Sequence, residues 1–329
     1  MVAEVRMLSL QECATAYPEL RFAVGAADAK PVTGYGTDTP ASRAEEAHDL
    51  AGVGKLFLGL TLAHLGEGDE GFLEHTLTVT VEHRAGARTG TLQLMSGDLE
   101  LSVDDAVNLV FSTGDAACVL ALLEFTKSEG VDLLAEAQSL VDTLGLNTFQ
   151  FTGTEEAESW GEGLLGRTTC AGTLELLRAL RIPSDLETAA TAATELAEPP
   201  VLSVETRQRM HGWMGRVFEP AGLASALPGF GPKRVPHQTL SGLELTARGA
   251  ERGYSSVLTL PTEAGEWVHL AAHLPPSSAV FQSPRDVSAV LGTLGLAAYH
   301  SATVDDPTGL ELAGRARAGA GTLYSWILK

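Results

Sequence analysis

The most constraining feature of this sequence is one apolar stretch, residues 49–65, which reads DLAGVGKLFLGLTLAHL. Val53, Leu56 and Leu60 recur at helical spacing, and further leucines occupy the other faces. A helix that is apolar all round should be buried on most sides. Its one cation, Lys55, is costly to bury without a partner. Taken alone, the stretch leaves two readings open: Lys55 lies in an exposed first turn or extends its ammonium to water, or it points inward and has a function.

The composition narrows the class of partner. The chain has 329 residues, enough for one large or two medium domains with a real core. Its formal net charge of −20 argues against binding to nucleic acid or to an anionic membrane. No apolar run is long enough to span a bilayer, so we expect no membrane insertion. The composition leaves a small-molecule ligand open, and the sequence does not predict the oligomeric state.

The cysteine and histidine patterns predict no metal and no cofactor. Cys13, Cys118 and Cys170 are far apart and odd in number, so buried free thiols are expected. His269 and His273 share a face of a predicted strand but stand about 13 Å apart along it, which is too far for one ion.

The N-terminus lacks a basic segment followed by an apolar one, the pattern of a secretory signal. The sequence as written therefore predicts a cytoplasmic protein, or an exported one if a signal has been removed.

The order of elements predicts an α+β fold. Predicted strands at 20–24 and 31–36 precede a long helical middle, in which Ser102 and Ser203 are predicted helix caps and residues 82–91 are a predicted loop. Strands at 243–247, 254–260 and 267–273 precede a closing helix at 284–299. A two-stranded hairpin alone is only marginally stable, so the first and last strands should share one antiparallel sheet. We expect a discontinuous sheet subdomain at 1–50 and 219–329, and a mainly helical subdomain at 51–218.

That order, and several runs within it, resemble the class A serine β-lactamases and the penicillin-binding proteins. The resemblance covers roughly residues 20–300. It depends on the runs LAGVGKLFL at 50–58, MSGDLELSVDDAVNLVFS at 95–112, TGDAACVLALL at 113–123 and TTCAGTLELL at 168–177. It implies an antiparallel sheet flanked by helices, an all-helical subdomain, and a cleft between the two.

The first motif of that family is S-x-x-K, in which a serine is acylated and the lysine three residues later helps to take its proton. Lys55 matches the lysine, so the resemblance favours an inward-facing Lys55. The nucleophile position is Gly52, which has no side chain and cannot form an acyl-enzyme. No lysine of the chain has a serine three residues before it.

The second family motif, S-D-N, is matched in this interpretation by Ser112-Thr113-Gly114. Ser112 remains as a proton shuttle beside Lys55 in the family geometry, and the asparagine is absent. The deacylating glutamate of an E-x-x-L-N pattern is also absent, because the acidic run at 155–162 lacks that spacing.

The third motif, K-T-G, supplies a cation and a hydroxyl to the substrate carboxylate. Its best match is Gln238-Thr239-Leu240, followed by Ser241 and Gly242. Thr239 keeps the hydroxyl, whereas Gln238 replaces the cation. Thr239, Gln238 and Ser241 are therefore the candidate ligand-binding residues on the strand.

These departures leave three functional hypotheses. The first is a β-lactamase-like pseudoenzyme whose cleft binds a ligand or partner without acylation. The second is a hydrolase of altered mechanism, an esterase, amidase or β-lactam hydrolase, that uses Lys55 and Ser112. The third is a scaffold or assembly protein.

Overall fold

The fold was analysed in a computed structural model. It describes residues 8–26, 43–69, 71–87, 89–154, 160, 165–182, 202–216, 221–227, 238–245, 251–261, 267–276, 278 and 284–302. Within these ranges no helix is long and apolar enough to cross a membrane.

A four-stranded antiparallel sheet joins the two ends of the chain, in the order β1-β9-β8-β7. Its strands are β1 (Arg21–Ala26), β7 (Gln238–Leu245), β8 (Glu251–Pro261) and β9 (Trp267–Leu274). Strand β1 pairs with β9, with Arg21 opposite His273 and Ala26 opposite Val268. This pairing confirms that the first and last strands share one sheet. The predicted partner strand at 31–36 lies outside the described residues.

Two small sheets complete the β structure. Strands β2 (His48–Asp49), β5 (Gln150–Phe151) and β6 (Gly166–Thr168) form one, in the order β2-β6-β5. Strands β3 (Thr76–Val79) and β4 (Leu99–Ser102) form the other.

Nine helices are found in the described ranges: α1 (Leu10–Ala16), α2 (Gly54–Gly68), α3 (Val81–Gly86), α4 (Val103–Thr113), α5 (Ala116–Ser128), α6 (Leu133–Thr143), α7 (Cys170–Ala179), α8 (Val204–Gly215) and α9 (Pro284–Ala302). Side-chain caps fix several starts. Ser102 accepts a hydrogen bond from the Asp105 amide at the start of α4, and Ser203 accepts one from Thr206 at the start of α8. Both caps agree with the sequence prediction.

Helix α3 corrects the sequence prediction, which placed a loop from Glu82 to Thr91. The side chain of Thr80 accepts a hydrogen bond from the His83 amide, and the His83 ring nitrogen Nδ1 accepts one from the Thr80 amide. This reciprocal cap satisfies two otherwise free backbone donors and so supports a short helix.

The sheet separates two apolar cores. Val257 on β8 and Ala271 on β9 face the core that contains helix α2. Their neighbours Leu258 and Leu270 face the opposite core, with helices α1 and α9. This alternation is the two-residue period of a strand covered on both faces. The predicted subdomain boundaries stay a prediction, since two cores do not define domain limits.

Helix α2 lies in the first of these cores. Every residue from Gly54 to Ala63 is buried, as expected from its apolar pattern. The approach to α4 is close, because a Cβ on Gly59 would lie 2.7 Å from the Phe111 ring. Burial on all sides fixes the position of the first turn of α2, where Lys55 lies.

Candidate functional site

A single 3₁₀ turn, Ala51–Val53, leads into helix α2 and packs against strands β7 and β8. Ala51 has a φ of 48°, in the left-handed region that residues with a Cβ rarely adopt. Gly52 follows at a negative φ, although it is the residue that would tolerate either sign. Backbone geometry therefore does not explain why alanine stands at 51 or glycine at 52. The strained φ is at Ala51, whereas Gly52 has a φ that any residue could adopt.

Lys55 is buried, with 8% of its surface exposed. It belongs to the first turn of α2, one helical step after Gly52, so the two residues share a face. Burial of the residue agrees with the inward orientation that the resemblance implied and contradicts an exposed first turn. The reading in which the stem is buried and the ammonium reaches water stays open, because Nζ is not among the fully buried, unpartnered polar atoms of the described residues. The described residues include no hydrogen-bond acceptor or carboxylate paired with this ammonium.

Gly114 is the residue of the second motif region that meets Lys55. A Cβ built on Gly114 would lie 3.8 Å from the Lys55 Nζ, the one atom within 4 Å among the described residues once its own chain neighbours are set aside. Gly114 ends helix α4 with a φ of 65°, a left-handed cap for which glycine is preferred. The Thr89 hydroxyl donates to its carbonyl at 2.7 Å and fixes the turn.

Asp115, beside Gly114, is fully buried and structural. One carboxylate oxygen accepts from the amides of Ala117 and Cys118, and the other accepts from the Leu92 amide at 2.8 Å. The side chain thus caps helix α5 and holds the neighbouring loop. Both oxygens are used in this way, so the carboxylate is not directed at Lys55.

The other candidate residues are placed as follows. Ser112 is half-buried in the last turn of α4, two positions before the glycine that meets Lys55. Thr239 is buried, and its hydroxyl donates to the Val257 carbonyl at 2.7 Å. Gln238 and Ser241 lie on β7, opposite Thr259 and Ser256 of β8. The roles of all four residues stay predictions.

A second group of reactive side chains, which sequence reasoning missed, lies between the sheet and helix α7. We call it the histidine–cysteine cluster: His48, Cys170, Ser255 and His273. The rings of His48 and His273 stack with centroids 4.1 Å apart and an angle of 12° between their planes. The Ser255 hydroxyl lies 2.9 Å from His273 Nδ1. No local spacing signals this cluster, since its members come from four distant elements.

The hydrogen bonds of this cluster assign its protons. His48 Nδ1 lies 2.8 Å from the Asp49 carbonyl oxygen, which can only accept, so Nδ1 carries the proton. His48 Nε2 is then the acceptor for the Cys170 thiol, at 3.5 Å. A thiol that donates to a neutral imidazole is protonated and unreactive.

The pKa shifts that burial causes also indicate that the groups of this cluster are neutral. Burial lowers the pKa of His48 to about 4, with smaller contributions of the same sign from Arg21 and Arg167. Burial also lowers the pKa of His273 well below its usual value, with His48 and Arg21 adding to the effect. It raises the pKa of the Cys170 thiol. All three groups are therefore neutral and enclosed near pH 7.

The two histidines of strand β9 contact hydroxyl groups of the neighbouring strand. His269 and His273 each use Nδ1 to contact a hydroxyl of β8, from Thr259 and Ser255 respectively. Within the ranges that the structure describes, no three histidine, cysteine or acidic side chains form a group able to hold a metal ion.

An open groove of about 360 Å³ lies between helices α4 and α8. Its charged side chains are largely matched with one another. Asp104 accepts from the Trp213 indole at 3.2 Å and lies 3.6 Å from Arg209, while Arg216 donates to Asn108. This mutual pairing leaves the groove without a strong preference for a charged ligand.

Comparison with known proteins identifies the fold. No family model and no curated protein matches the sequence. Among solved structures, a β-lactamase from Sphaerobacter thermophilus is similar with a TM-score of 0.63 and 15% identity, over 90% of this chain and 96% of that one. A class A β-lactamase representative from Bacteroides cellulosilyticus gives 0.64 and 16%, over 88% and 95%. The structure of PBP-A gives 0.59 and 14%, over 89% and 93%.

The chain therefore has the β-lactamase/transpeptidase-like fold, an α+β architecture. This confirms the resemblance and the fold class predicted from the sequence. At such identities the likeness establishes the fold alone, and the chemistry must be argued from the residues themselves.

Proposed function

We propose that this chain is a non-acylating protein on the β-lactamase/transpeptidase-like fold, a pseudoenzyme whose cleft binds a ligand without covalent chemistry. The observation that carries the proposal is the buried pair Gly52 and Lys55. The lysine of the S-x-x-K motif is present and faces inward, and the residue three positions before it has no side chain to acylate.

The surroundings of Lys55 support this proposal. In the family geometry, the serine of S-D-N neighbours the lysine, and here the neighbour is Gly114. The motif is then better matched by Gly114-Asp115-Ala116 than by Ser112-Thr113-Gly114, because this alignment also keeps the aspartate. Under it, both hydroxyl positions beside the lysine are glycine.

The alternative, a hydrolase in which Lys55 activates Ser112, receives less support from the geometry. Ser112 belongs to the last turn of α4, whereas the turn residue against the ammonium is Gly114. Screening ester and amide substrates with the Ser112→Ala variant tests it directly. An activity lost in that variant would favour the hydrolase over the pseudoenzyme.

Covalent capture tests the main proposal. The protein is incubated with a fluorescent penicillin and a chromogenic cephalosporin, and its intact mass is measured. We expect no mass adduct and no steady turnover. Either one in the unmodified protein would overturn the proposal.

A gain-of-function variant makes the test sharper. Gly52→Ser restores the hydroxyl one helical step before Lys55, so we expect a penicilloyl adduct that hydrolyses slowly, since the E-x-x-L-N base is absent. The control is Gly54→Ser on the same segment, where a Cβ would make ordinary contacts with Leu165 at 3.6 Å. It should stay unlabelled. Equal labelling of both variants would show that the position of the hydroxyl is immaterial.

A further inference from the structure

The Lys55 side chain is largely buried, and its ammonium has no partner among the described residues. Only 8% of the residue is exposed, and no hydrogen bond or ion pair to it is found in that part of the chain. The nearby acid, Asp115, directs both oxygens to backbone amides. A charge removed from water costs free energy that only a counter-charge or a set of hydrogen bonds can offset.

The ammonium faces space that side chains do not fill. Gly52 contributes none on the face it shares with Lys55. A Cβ on Gly114 would meet Nζ at 3.8 Å and, its own chain neighbours aside, no other described atom within 4 Å. An acceptor atom of a ligand thus has room to reach hydrogen-bond distance of Nζ, about 2.8 Å for a charge-assisted bond.

The other two clusters lack this combination. In the histidine–cysteine cluster, the His48 and His273 rings are enclosed and neutral, and both ring nitrogens of His48 are hydrogen-bonded. In the groove between α4 and α8, Asp104 and Arg209 neutralise each other. Of these three regions, the one around Lys55 combines an unpaired charge with adjoining space.

We infer that Lys55, with Gly52 and Gly114 beside it, forms a binding site for the carboxylate of a small ligand. One ammonium matches a monoanion, held by a charge-assisted N–H···O⁻ hydrogen bond and no covalent bond. This inference depends on the proposed function, because an acylating site would need the lysine for proton transfer. In the family that the sequence resembles, a lysine on the strand binds the substrate carboxylate, and Gln238 occupies that position here. In this proposal, the lysine of helix α2 binds the carboxylate instead.

Acetate is the probe, and acetamide is its neutral isostere. In a carboxylate-free buffer of constant ionic strength, the melting temperature of the full chain should rise with acetate concentration by mass action, and acetamide should leave it unchanged. Equal shifts with both compounds would overturn the inference.

Two lysine variants locate the effect. Lys55→Met keeps an unbranched apolar side chain and removes the charge, so the acetate-dependent shift should disappear. Lys127→Met, the same change at an exposed position on α5, should keep the full acetate shift. A Lys55→Met protein that keeps the shift would overturn the inference.

A spectroscopic measurement on the chain without substitutions does not depend on the folding of a variant. With the lysines labelled by ¹³C-methylation, the Lys55 resonance should move on addition of acetate and not of acetamide. An unmoved resonance contradicts the site. The two proposals fail separately: a penicillin adduct overturns the non-acylating function, whereas absence of both adduct and acetate response overturns only the carboxylate site.

Discussion

The His48 ring and the Lys55 ammonium lie on adjoining elements, yet their surroundings are opposite. His48 stacks on His273, donates to a carbonyl and accepts from a thiol, so the polar atoms of its ring are satisfied. Lys55 is almost as deeply buried and has no partner in the described part of the chain. The histidine–cysteine cluster contains more titratable groups than the region around Lys55, yet its groups are the ones that are enclosed and hydrogen-bonded. An unsatisfied group is therefore a better guide to ligand binding here than the density of titratable side chains.

Acid should affect the histidine–cysteine cluster most strongly. The pKa of His48 is about 4 in the folded chain, against about 6.5 for an unfolded histidine. Above pH 6.5 neither state binds this proton, and between pH 6.5 and 4 only the unfolded state does. Stability should therefore fall across that window, by about 3 kcal/mol from His48 alone. Urea unfolding at pH 7.5, 6 and 5 measures this fall.

The His48→Phe variant separates this contribution from the rest. Phenylalanine can stack on His273 but cannot titrate, so the fall in stability below pH 6.5 should become shallower. Lys55→Met, outside the cluster, should keep the original steepness. An identical pH dependence in His48→Phe would mean that the His48 stack does not control acid sensitivity.

The closed packing of the cluster can be broken from strand β8. A Cβ on Gly253 would lie 2.2 Å from His273 Cε1 and 2.6 Å from the Leu274 carbonyl oxygen. Gly253→Ala should therefore displace the His273 ring from His48 and cost about 2 kcal/mol. Gly212→Ala on α8, where nothing lies within 4 Å, should instead stabilise by about 0.5–1 kcal/mol. Chemical denaturation compares the two, and equal effects would contradict the close approach.

The smallest expected effect concerns the strained residue at the start of the Lys55 region. Ala51→Gly relieves a positive φ and should stabilise the protein by about 0.5–1 kcal/mol. Ala135→Gly, at an exposed position inside helix α6, should cost a similar amount. Thermal unfolding distinguishes the signs. A destabilised Ala51→Gly variant would show that the alanine methyl group contributes more than the strain costs.

Local patterns predicted most of the described fold. Apolar periodicity and side-chain caps are short-range signals, so the helices beginning after Ser102 and Ser203 were predicted close to their observed starts. Helix α3 was missed because its sequence is polar and contains glycine, while its stability depends on the reciprocal Thr80–His83 cap. Cys13, Cys118 and Cys170 are free and buried, as predicted.

The site was predicted only in part, for a physical reason. Burial of Lys55 follows from the resemblance, because a helix in a known fold has a known inward face. The residue that meets the ammonium depends on where helix α4 ends. The left-handed turn at Gly114 ends it two residues after Ser112, so Gly114 rather than Ser112 meets Lys55. The contact between His48 and His273 depends on long-range strand pairing, which no local pattern encodes.

The order Ala51-Gly52 bears on how this protein could be re-engineered. Selection for stability alone favours the reverse order, with glycine at the left-handed residue and a side chain at the next. The chain instead keeps a bent backbone that orients position 52 beside Lys55, and leaves that position without a side chain. Gly52→Ser, which needs one codon change, would therefore add a hydroxyl on a backbone that already orients position 52 beside Lys55.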